Sequence, residues 1–137
     1  MNEILQLQPG LVWSYFEKIT GIPRPSKHET LIINYLEEFA SSRQLAYKKD
    51  AFGNVVISKP ASEGNENKAV VVLQCHVDMV CEKNSDVQHD FLRDPIIPYI
   101  DSSWVKARGT TLGADDGIGM AMILHKPGPV VTKRIGM

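Results

Sequence analysis

A chain of 137 residues with 43% apolar and 23% charged side chains has the size and balance of one globular domain, able to bury a core without disulfides or a structural metal. Fifteen Lys and Arg against sixteen Asp and Glu leave a net charge of −1, which offers no long-range attraction to phosphate backbones or anionic lipid and excludes nucleic acid and membrane as expected partners. Only Cys75 and Cys81 occur, at a spacing that fits no zinc finger; with no basic-then-apolar leader and no bilayer-length run, they predict reduced thiols in a cytoplasmic protein.

From Leu11 to Ile19, the residues Leu11, Val12, Tyr15, Phe16 and Ile19 recur at helical period behind Pro9 and Gly10. Pro23 and Pro25 then predict a loop, because neither fits a helix interior and both push the preceding residue toward extended geometry. Ser26 with Glu29 is a capping-box signature, and Leu31, Ile32, Tyr35, Leu36 and Phe39 carry a second helix to about Ser41, with His28 in its first turn and solvated.

"LAYKKD" and "NVVISK" predict a hairpin turning near Phe52 and Gly53. After the polar connector "PASEGNENK", the run from Ala69 to Cys75 is continuously apolar, as expected of a central strand covered on both faces. "IIPYI" and "WVKAR" predict an edge hairpin, Pro98 marking the edge, and Ile118 to Leu124 opens a buried helix behind an acidic residue. Helices interleaved with strands predict an α/β layered mixed sheet with flanking helices. Trp13 and Trp104 are expected to pack, and His89 to be solvated in a loop.

Two stretches can carry chemistry. His76 and Asp78 sit at i and i+2 where the apolar run ends, so on a strand they share one face while Val77 returns to the core. A neutral imidazole binds divalent metal and a neighbouring carboxylate can orient it, but the same pattern also describes a strand terminus meeting water. In "GADDGIG", Gly113, Gly117 and Gly119 bracket Asp115 and Asp116, which places a carboxylate at a helix start, able to hold a metal or to cap the helix. The glycine spacing matches no nucleotide-binding fingerprint. Cys75 and His76, as adjacent strand residues, point to opposite faces and form no thiol–imidazole dyad; Cys75 reads as a buried structural thiol.

Together, "IPRPSKHE", "QCHVDMV", "DFLRDPI" and "WVKARGTTLGADDGIGMA" resemble the N-terminal part of the aminoacyl-histidine dipeptidases, which are zinc-dependent metallopeptidases. The resemblance implies that residues 1–124 are the N-terminal part of a metallopeptidase catalytic domain and that 125–137, "HKPGPVVTKRIGM", are a non-family tail. It implies that His76 ligates zinc, that Asp78 acts in catalysis by orienting His76 and tuning the site, that Asp115 bridges two zinc ions, and that the Asp115–Asp116 peptide is cis. Two zinc ions would then polarise the scissile carbonyl of a dipeptide and activate water, with a glutamate relaying its proton. That glutamate and the remaining ligands lie downstream of these motifs in the family, and no Glu follows Glu82 here, so a partial site is expected. The rival expectation is a truncated, non-catalytic remnant that binds metal or self-associates through an exposed sheet edge.

Overall fold

The computed structural model describes residues 3–125. A 3-10 turn, Glu3–Gln6, leads into helix α1 (Gly10–Thr20), helix α2 (Thr30–Ser42), strands β1 (Ala46–Lys49), β2 (Val55–Ser58), β3 (Pro98–Asp101) and β4 (Trp104–Ala107), and helix α3 (Ala114–His125). The mixed α/β class expected from the sequence holds. Its strands form two separate antiparallel hairpins, β1 with β2 and β3 with β4.

Apolar periodicity becomes one core. Val12, Phe16 and Ile19 of α1, Ile32, Leu36 and Phe39 of α2, Val55 and Ile57 of β2, and Met120, Ala121, Ile123 and Leu124 of α3 are buried together with Cys75 and Val77. Each large apolar side chain so placed contributes roughly 1.5–3 kcal/mol relative to exposure. The helices meet solvent with Leu11, Leu31 and Met122, which fall off the buried stripe.

The first hairpin turns as its residues require. Asp50 Oδ1 accepts the backbone N–H groups of Phe52 and Asn54, each at 2.9 Å, and Gly53 takes φ 82°, a left-handed conformation that costs glycine little. The second hairpin pairs Pro98 with Ala107 and Asp101 with Trp104.

Five expectations are corrected. The Ala69–Cys75 run is not a central strand: it belongs to no sheet, and Val70, Val71 and Val72 are 79%, 55% and 59% exposed. A continuous apolar run predicts burial only if neighbours exist to cover it, and neither two-stranded hairpin pairs with this segment. Ser26 and Glu29 do not form a capping box; α2 starts at Thr30, Glu29 turns back to accept the Lys27 N–H at 2.9 Å, and the Ser26 hydroxyl is engaged elsewhere. His28 therefore precedes the helix instead of opening it, though it is exposed as expected. Trp104 is 68% exposed, because it opens β4 at the turn end of an isolated two-stranded hairpin. Trp13 does pack, its ring edge-on to Phe16 at 5.9 Å. His89 is half-buried against Phe91, with ring centroids 4.5 Å apart, not solvated. The tail from Lys126 onward lies outside the described residues.

Candidate functional site

Residues 74–79 run extended without a sheet partner along most of their length, yet their burial alternates: Cys75, Val77 and Met79 face the core while His76 and Asp78 face out. The period of two expected of a strand survives even though the ladder does not. At Met79 a single parallel bridge to Pro25 anchors this arm. Beyond it, Thr111 N–H donates to Glu82 O at 2.8 Å and Thr111 Oγ1 to Val80 O at 2.8 Å, which lays the segment leading to "GADDGIG" alongside the arm.

The two arms enclose an open cleft of about 940 Å³. His76, Asp78, Asp115 and Asp116 all line it. His76 Nε2 stands 3.0 Å from Asp115 Oδ1, and on the opposite edge of the ring His76 Nδ1 lies 3.2 Å from Asp78 Oδ1 and 3.0 Å from the Asp78 carbonyl. Asp78 is itself held, because its Oδ2 accepts the Ser26 hydroxyl at 2.6 Å. The result is a chain Ser26–Asp78–His76–Asp115 that ends at an exposed carboxylate.

Electrostatics follow that chain. Partial burial pulls the His76 imidazole down, but the Asp115 hydrogen bond and the nearby Asp78 charge outweigh it, leaving its pKa above the ordinary value. Burial pushes Asp78 up, and the Ser26 hydrogen bond with the His76 contacts overcomes this to hold the carboxylate below its usual range. Behind the cleft, burial drives the Cys75 thiol up to about 12, in keeping with an inert structural cysteine.

The Asp115–Asp116 peptide is cis, as the resemblance implies. Asp115 and Asp116 both depart from helical backbone angles, so α3 becomes regular only from Gly117. Asp116 folds its carboxylate back over Gly119, where any Cβ would collide with it.

A divalent cation can be tested against this arrangement. Two ligands at about 2.0–2.2 Å from one tetrahedral zinc lie about 3.3–3.5 Å apart, and the 3.0 Å between Nε2 and Oδ1 is close to that span. The carboxylate on the far nitrogen is the usual support for a metal-binding imidazole. Among the described residues no third His, Cys, Asp or Glu joins them in a metal-sized group. The residues present fit part of a metal site.

Arg24 escaped the sequence reading. It lies inside "IPRPSKHE" between two prolines, where a charged residue reads as solvated loop, yet it is 1% exposed. Its guanidinium donates to the carbonyls of Val77, Asp78 and Gly113, and no pattern of local spacing could have signalled that.

The sequence and the fold are both similar to those of known proteins. Over 124 residues, 90% of the chain, the sequence is 53% identical to the cytosol non-specific dipeptidase of Escherichia coli. The likeness is to part of a dipeptidase. The fold agrees: aminoacylhistidine dipeptidase from Vibrio alginolyticus superimposes with a TM-score of 0.90 at 49% identity over 96% of this chain. A tripeptidase from Staphylococcus aureus and aminopeptidase PepT from Bacillus cereus share the fold at TM-scores of 0.70, with 19% and 18% identity. The chain spans 26% of the Escherichia coli dipeptidase and 28% of the Vibrio dipeptidase. No protein-family model matches the sequence.

Proposed function

We propose that this chain supplies one arm of the zinc centre of a cytoplasmic dipeptidase that cleaves Xaa-His and related dipeptides. The observation that carries the reading is the 3.0 Å approach of His76 Nε2 to Asp115 Oδ1 in an open cleft. Support for the substrate class comes from the names of the relatives, a cytosol non-specific dipeptidase and an aminoacylhistidine dipeptidase. The first of these names also supports the location, and among the described residues no helix is long and apolar enough to cross a membrane.

In this reading His76 Nε2 and the Asp115 carboxylate would hold the metal. Asp78 fixes the imidazole so that Nε2 faces the cleft, and Ser26 fixes Asp78. When bound, zinc supplies Lewis acidity for a peptide carbonyl. Among the described residues no glutamate lines the cleft to relay a proton, so the purified chain is expected to show negligible peptidase turnover with zinc, manganese or cobalt. Robust, chelator-sensitive hydrolysis by it would contradict this.

Calorimetry tests the metal site directly. The chain should bind zinc weakly, and a double variant His76→Ala, Asp115→Ala should lose the heat signal; equal titrations would remove the proposal. A second reading, a non-catalytic module that binds metal or associates with its own copies, is favoured by the exposed apolar residues Val70, Val71 and Val72.

A further inference from the structure

The ligands do not by themselves explain what holds them at one distance. His76 and Asp115 are 39 positions apart and stand on segments that share no sheet. One buried side chain touches both segments. Arg24 Nη1 donates to the carbonyls of Val77 and Asp78, each at 3.1 Å, and Nη2 donates to the Gly113 carbonyl at 2.5 Å. The Arg24 backbone adds a fourth tie, its carbonyl accepting the Met79 N–H at 3.0 Å.

We propose that Arg24 is a positioning residue for the metal site, its guanidinium setting the separation of His76 from Asp115 by clamping the backbone beside each. The purpose assigned to Arg24 rests on the zinc reading above; the clamp itself rests on geometry alone. A planar fork of fixed N–H groups can bridge carbonyls on two segments, which the single ammonium of a lysine cannot reproduce.

Space for the fork is cut by the motif it serves. A Cβ at Gly113 or at Gly117 would come 2.6 Å from Arg24 Nη2, and Gly113 also takes φ 72°. Two glycines of "GADDGIG" are thereby explained by a residue some ninety positions upstream, roughly the 89 that separate Arg24 from Gly113. Burying a cation here carries costs. Burial pulls the guanidinium down to about 10, against the raising effect of Asp78, and Nε is buried with no acceptor among the described residues. An apolar side chain of similar volume would avoid those costs but would leave the carbonyls of Val77, Asp78 and Gly113 without this donor.

The experiment compares the chain with Arg24→Lys and Gly117→Ala, the second of which pushes on the guanidinium without removing it. Cobalt(II) titration followed by visible absorption reads both affinity and coordination geometry. Circular dichroism and thermal melting report folding. NMR of the metal-free proteins reads the nuclear Overhauser contact between the His76 ring and the Asp115 β-protons. The expected result is cobalt affinity lowered by about 10- to 100-fold with an altered visible band, and a weakened His76–Asp115 contact, in variants that remain folded. Wild-type cobalt spectra and an intact contact in either folded variant would overturn the proposal. If the unmodified chain binds no cobalt, the zinc reading fails, and the metal-free contact still decides whether Arg24 sets the geometry. Should Arg24→Lys not fold, Gly117→Ala decides.

Discussion

The Ser26 hydroxyl lies 2.6 Å from Asp78 Oδ2, across 52 positions of chain. Read locally, Ser26 is a helix cap; in the folded protein it braces the acid behind His76. These two roles make different demands on a substitution.

Ser26→Ala should therefore leave α2 intact, costing less than the about 1 kcal/mol typical of a lost N-cap, while lowering zinc affinity by about tenfold. Urea unfolding and calorimetry on the same samples separate the two effects. A full capping loss with unchanged zinc binding would restore the local reading.

Phe16 is 1% exposed, its ring stacks edge-on with Trp13, and its Cε2 would lie 3.3 Å from a Cβ at Gly117. Phe16→Ala should destabilise the fold by about 3–5 kcal/mol through lost burial and a residual cavity. Trp13 fluorescence in a denaturant titration reports the shift, and a change below about 1 kcal/mol would mean that α1 is not seated on α3 as described.

The two thiols should differ in reactivity. With Cys75 pushed up to about 12 by burial, roughly one thiol in ten thousand is ionised at pH 8, and that one is shielded. Cys81 is also raised by burial, but it is only half-buried. Iodoacetamide labelling read by mass spectrometry should modify Cys81 first, faster as pH rises from 7 to 9, and Cys75 only after unfolding. Early labelling of Cys75 would show that its face of the arm opens to solvent.

Val70, Val71 and Val72 leave an apolar extended segment uncovered, the kind of edge that accepts another strand. Light scattering should detect mass that rises with concentration, and Val71→Lys should suppress it. A monomer at every concentration would remove self-association from the proposed function.

Much of this was legible one residue at a time. Phe16, Ile32 and Leu36 announce buried helix faces by period, and Gly53 with Asn54 announces a turn by its own chemistry, because those preferences act over a few residues. His76 and Asp78 share a face because alternation is a local property of extended backbone. The pairing of His76 with Asp115 entered through resemblance to a family and not through spacing, and no local rule predicts a contact across 39 positions.

Sequence by itself determined the mixed helix and strand content and the two hairpins, since each follows from short-range sterics and periodicity, whereas the candidate ligands were assigned by resemblance. Tertiary structure alone decided that Val70–Val72 stay uncovered, that Ser26 serves Asp78 instead of a helix, and that Arg24 is buried against Gly113. The reason is physical: whether an apolar run is covered, or a cation meets carbonyls, depends on which distant segments arrive beside it, and that is a property of the packed chain.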